Sequence, residues 1–174
     1  IQEIPNVSVD TVKLIDRALE EEKPDLVVLT GDQIKGYGMS YGKKSGNKKQ
    51  EVFDVLSKIL EPVTKMEIPY AVTFGNHDRQ VGISNKEQFC GIYKKIGNCI
   101  GKQAEGINGG GTYNIPIYSS DGTRVVNNIY LFDSGTDAKG GGYEPFDTKI
   151  IEWYKATRDR LKEENGDYVP SLVF

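Results

Sequence analysis

Asp32, Asn76, His77 and Asp78 are the residues of this chain best suited to chemistry. Leu29-Thr30-Gly31-Asp32 and Thr73-Phe74-Gly75-Asn76-His77-Asp78 each put a glycine directly before polar donors. Those donors are a carboxylate, a side-chain amide, an imidazole and a second carboxylate, types suited to binding metal ions. Glycine at such a point lets the backbone turn sharply and come close to a ligand. His77 is the single histidine of the chain, and it falls inside the cluster. Taken alone, Asp32 reads better as a strand-end turn residue, and the alternative for Asp78 is a cap for the following turn. It is their pairing at two strand ends that points to a metal site.

The elements that must position these residues are legible around them. Val9, Val12, Ile15 and Leu19 recur at helical spacing, with Ser8 as a cap and Pro24 as a stop. Asp25 to Thr30 is a short apolar run of the kind buried on both faces of a parallel sheet. A Gly- and Lys-rich stretch from Lys35 to Lys49 reads as an exposed, mobile loop. Val52, Leu56, Ile59 and Val63 predict a second helix, doubtful in its last turn because of Pro62. Pro69 to Phe74 predicts a second buried strand. This α-β-α-β order builds a parallel sheet whose strand ends open on one crevice.

Beyond that point the period changes. Ser84-Asn85-Lys86-Glu87 is a capping box ahead of Phe89, Ile92, Tyr93 and Ile96. Gly101 to Gly111 reads as a connector, and Gly109-Gly110-Gly111 lacks the following helix that a phosphate cradle needs. Tyr113–Tyr118 and Val125–Phe132 predict two strands around the Asp121-Gly122 hairpin signal. Asp133 and Ser134, at the end of the second, either reach the crevice or support a loop beside it. Pro145 and Asp147 open a long helix in which Trp153 and Tyr154 serve core packing. A terminal apolar strand follows Pro170. The fold expected is a layered α/β domain, one unit over residues 1–174, with a mixed sheet and flanking helices.

Gly31-Asp32 and Gly75-Asn76-His77-Asp78, each closing an apolar strand, resemble the second and third motifs of the calcineurin-like metallophosphoesterases. Leu131-Phe132-Asp133-Ser134-Gly135 is similar to a branch near the purple acid phosphatases, although Lys35 stands where those enzymes carry a tyrosine. The resemblance implies an α/β/β/α sandwich and a dinuclear centre of divalent or Fe/Zn/Mn-type ions. Asp32 would bridge two ions about 3.5–4 Å apart, and Asn76 would bind one through its amide oxygen. His77 would act on the phosphate and its leaving oxygen, while Asp78 would accept a hydrogen bond from His77. Water acidified by the ions would attack phosphorus in line. The implied activity is hydrolysis of a phosphorylated small molecule or phosphoprotein. Phosphodiester or nucleotide cleavage, or a scaffold domain without metals, are the alternatives.

The family's D-x-H, lone His and G-H-x-H motifs do not occur in the sequence. Gln2 is the one candidate for the His position of a D-x-H variant. The chain is therefore read as a piece of a longer protein, incomplete at both ends, weak in metal binding and close to inactive by itself. Its net charge of −3 gives no electrostatic case for nucleic acid as the main partner. No apolar run approaches the roughly 20 residues of a membrane span. Cys90 and Cys99 read as idle or buried thiols, which leaves the compartment open. Lys43, Lys44, Lys48 and Lys49 read as a solvated loop rather than a phosphate site.

Overall fold

Ser8 accepts a hydrogen bond from the Asp10 amide and so caps α1 (Val9–Glu22), which ends on Lys23 in the left-handed conformation. These details come from a computed structural model that describes residues 7–38, 40–43 and 45–174. Gln2 and Lys44, two positions singled out in the sequence, lie outside the described residues. Strand β1 (Val27–Thr30) follows α1, and α2 (Lys48–Lys65) leads to β2 (Tyr70–Thr73). β1 and β2 pair in parallel, with Val27 opposite Tyr70 and Thr30 opposite Thr73, so both strands end at one level. That register brings Gly31 and Gly75 side by side.

Helix α2 runs through Pro62 to Lys65 rather than breaking before it. The hydrogen bond that proline forfeits belongs to the carbonyl of Lys58, an exposed residue where water can substitute. Strand β1 departs from expectation too. Val27, Val28 and Leu29 are half-buried and Thr30 is exposed, whereas all of β2 is buried. Among the described residues β1 pairs with β2 alone, and it lies beside a hollow of about 230 Å³ lined by Ile15, Ile59 and Leu60. Most described residues of the Lys35–Lys49 stretch are exposed, as expected. Ile34 and Tyr41 are buried on either side of Lys35, and Lys48 and Lys49 form the first turn of α2.

The capping box at Ser84 and Glu87 is complete in both directions and starts α3 (Asn85–Gly91). A 3-10 turn over Tyr93–Lys95 then replaces the longer helix expected from the apolar spacing. Strands β3 (Tyr113–Tyr118) and β4 (Val125–Leu131) form the antiparallel hairpin, and β5 (Ser171–Val173) adds to β4 in parallel. The second sheet is thus mixed. Helix α4 (Thr148–Asn165) packs on it through Trp153 and Tyr154, whose rings meet Tyr130 edge-on. Although β5 is apolar, Leu172, Val173 and Phe174 are all exposed. It is held by backbone bonds to one neighbour, and its side chains find no covering layer among the described residues.

The two sheets meet at Tyr113. Its hydroxyl donates to the Val72 carbonyl (2.9 Å) and accepts from the Val72 amide (2.7 Å), doing for β2 what a neighbouring strand would do. Tyr113 is fully buried among Phe74, Phe89 and Leu131. Tyr113→Phe would leave both backbone groups unpaired in the core, a loss of about 2 kcal/mol. Urea unfolding measures it, and a loss below about 0.5 kcal/mol would mean that water replaces the hydroxyl.

Candidate metal-phosphate site

Parallel pairing of β1 and β2 delivers both motifs to one point. Gly31 and Gly75 face each other so closely that a Cβ on Gly31 would lie 2.5 Å from the Gly75 nitrogen. A Cβ on Gly75 would collide with the Asp32 carboxylate. Both positions therefore require glycine for space, and Gly31, at φ +106°, for backbone shape as well. Asp32 itself is left-handed at φ +54°, an unusual state for a residue with a side chain. Its Oδ1 accepts the His77 amide at 3.1 Å. The carboxylate of one motif thus touches the backbone of the other. No hydrogen bond to Asp32 Oδ2 is present among the described residues.

Asp78 has a different place from the one expected. Its side chain is completely buried and turned back toward the strand ends. Oδ2 accepts the amides of Asp32 (2.7 Å) and Gly75 (2.8 Å), while Oδ1 accepts those of Gln33 (2.9 Å) and Ile34 (3.3 Å). The Gln33 carboxamide fits when its oxygen accepts from the Gly31 amide (2.7 Å) and its nitrogen faces Asp78 (3.2 Å). Burial pushes the Asp78 carboxyl up to about 6, against the opposing pull of the Gly75, Asp32 and Ile34 amides. One carboxylate staples the two motif loops together.

The expected hydrogen bond from His77 to Asp78 is not made, and Gln80 stands in its place. His77 Nδ1 lies 2.9 Å from Gln80 Oε1. Successive residues of a helical turn point apart, whereas residues three apart share a side. His77 caps the 3-10 turn Asp78–Val81, so Gln80 meets the ring and Asp78 swings inward. Tyr37 covers the imidazole at a centroid distance of 4.5 Å, and the Lys35 ammonium sits 4.7 Å from the centre of the Tyr37 ring. Asn76 donates through Nδ2 to Asp137 Oδ1 at 3.1 Å, and Gln80 Nε2 donates to Asp137 Oδ2 at 2.9 Å.

Asp133 supports the neighbouring loops. Its Oδ2 accepts from Asn85 Nδ2 (2.9 Å), its Oδ1 from the Gly135 amide (3.3 Å), and burial raises its carboxyl above the usual range. With Ser134, Gly109 and Arg79 it lines an open cleft of about 470 Å³. Sequence reasoning singled out Asp32, Asn76, His77 and Asp78, which lie at the two strand ends, but not Tyr37, Gln80 or Asp137, which contact them. The spacing of His77 and Gln80 was the one local signal that could have revealed a partner.

The donor set present fits part of a divalent-ion site. Asp32 Oδ2 and the Asn76 amide oxygen are hard oxygen donors of the kind divalent ions accept, and Asp137 takes up the Asn76 nitrogen. Among the described residues no group of three or more His, Cys, Asp or Glu side chains converges as a complete site.

A family model described as calcineurin-like phosphoesterase matches residues 8–170. The chain is 28% identical to "Probable inactive purple acid phosphatase 29" of Arabidopsis thaliana, over 89% of this chain and 40% of that protein. It is 29% identical to "Phosphatase DCR2" of Saccharomyces cerevisiae, over 90% of this chain and 26% of that protein. The chain spans less than half the length of these curated relatives. Among solved structures, a dimetal phosphatase from Danio rerio superposes with a TM-score of 0.60 at 12% identity, covering 95% of this chain and 58% of that one. The fold is shared with that structure.

Proposed function

Because the chain belongs to the calcineurin-like phosphoesterase family, we propose that the full-length protein is a metal-dependent hydrolase of phosphomonoesters, acting on a small molecule or a phosphoprotein. The observation that carries this reading is the contact between the two motifs, with His77 N–H on Asp32 Oδ1 at 3.1 Å. The segments that carry the carboxylate, the amide and the imidazole thereby meet at the ends of two parallel strands, where open α/β sheets bind ligands.

Asp32 and Asn76 would hold a divalent ion through their oxygens. Ions bound there supply positive charge toward the phosphate and make water nucleophilic near neutral pH. His77 presents Nε2, the ring nitrogen that Gln80 does not engage. As water adds to phosphorus, the ester P–O bond breaks and the leaving oxygen takes a proton from Nε2 of the charged ring. Tyr37 and Gln80 hold the ring in place, and Asp78 keeps both loops in register without touching the substrate. No helix among the described residues is long and apolar enough to cross a membrane.

The test is hydrolysis of p-nitrophenyl phosphate by the full-length protein with added manganese, beside bis-p-nitrophenyl phosphate. Monoester turnover that a chelator abolishes and manganese restores is the expected result. Preference for the diester would move the reading to a phosphodiesterase. A non-catalytic scaffold is favoured by the relative whose name includes "probable inactive". Failure to cleave either ester at saturating manganese would establish that reading instead.

A further inference from the structure

Asp137 is 57 residues from Gln80 and 61 from Asn76 in sequence, yet its two carboxylate oxygens receive one carboxamide each. A small irregular hairpin presents it: Asp137 bridges to Tyr143, the Glu144 amide donates to the Thr136 carbonyl, and the Ala138 amide donates to the Gly142 carbonyl. The chemistry of the groups fixes every orientation in the chain of contacts. An ionised carboxylate only accepts, so Asn76 and Gln80 must both turn their nitrogens toward Asp137. Gln80 then turns its oxygen toward His77 Nδ1 at 2.9 Å. A carbonyl oxygen also only accepts, so Nδ1 must carry the hydrogen. In the neutral ring Nε2 is then the bare nitrogen, and in the charged ring it is the donor that faces away from Gln80.

We propose that Asp137 is a positioning residue: it turns the Asn76 oxygen outward for a cation and, through Gln80, holds His77 in the Nδ1–H tautomer. The part concerning a cation rests on the function proposed above. The tautomer needs neither metal nor substrate. Two groups of the reacting site are set by one side chain from a distant loop, so a change there alters both together.

His77 is the only histidine, so a ¹⁵N-labelled sample gives one set of imidazole ring signals. With the ring neutral, the chain should show mainly Nδ1–H. Asp137→Ala should lower the ratio of Nδ1–H to Nε2–H by about fivefold, the factor that one net hydrogen bond sets. It should also shift the Asn76 side-chain amide signals. Gln80→Met should lower the ratio equally while leaving the Asn76 amide unchanged, a split that general loosening of the loop would not produce. Asp137→Glu, which keeps the carboxylate, should restore part of the ratio.

A ratio unchanged in both Asp137→Ala and Gln80→Met overturns the proposal. If Asp137→Ala loses its dispersed spectrum, Gln80→Met decides alone, and an unchanged tautomer there is equally fatal. A tautomer that responds as described, in a protein that hydrolyses no phosphate ester, leaves the relay standing and removes the function.

Discussion

Asp32→Asn in the full-length protein is expected to lower manganese-supported hydrolysis of p-nitrophenyl phosphate by at least about 100-fold. The substitution is nearly isosteric, and asparagine is among the residues that tolerate the left-handed backbone found at Asp32, φ +54°. The remaining amide oxygen can still accept the His77 N–H, so the contact between motifs survives. What disappears is the negative charge and one of the two oxygens with which Asp32 would hold a divalent ion. His77→Ala should cost a similar factor for a separate reason, loss of the proton donor at Nε2. The two losses differ in their chelation behaviour: Asp32→Asn should weaken manganese binding, and His77→Ala should not. Turnover near wild type in either variant removes that residue from the chemistry.

Much of this site could be read from short stretches of sequence, because the information is local. A glycine that ends an apolar run marks both a sharp turn and a strand end, and the donors follow within three residues of each glycine. The capping box at Ser84 and the hairpin at Asp121-Gly122 were legible for the same reason. Asp137 was not, because nothing near it in sequence announces that it will reach Asn76, 61 residues away. Tyr37 and Gln33 likewise acquire their roles only when the loop after β1 folds against the turn after β2. The error at Asp78 had a geometric cause. Adjacency to His77 suggested a pair, but a 3-10 turn sends neighbouring side chains in different directions. The exposure of β5 and the half-burial of β1 reflect the layers around them, and apolar patterning records only the strand's own preference.

Asp78→Ala is expected to destabilise the chain by at least about 3 kcal/mol, which for 174 residues lowers the melting temperature by about 6–12 °C. The carboxylate is itself expensive to bury, as its rise from 3.8 to about 6 records. Removing it is worse, because the amides of Asp32, Gln33, Ile34 and Gly75 lose the acceptor they share. The backbone at Gly31 and Gly75 is too tightly packed for those groups to find new partners without separating the loops. Activity should fall with stability, since the same rupture parts Asp32 from His77. The pH dependence gives a second handle. A carboxyl held above its unfolded value stabilises the fold fully below about pH 4, and that contribution fades as the pH rises through about 6. The stability gap between wild type and Asp78→Ala should therefore be widest near pH 4 and narrow toward pH 7. A gap that widens with pH instead would mean the four amides outweigh burial, and that the ionised carboxylate is the form the two loops are built to hold.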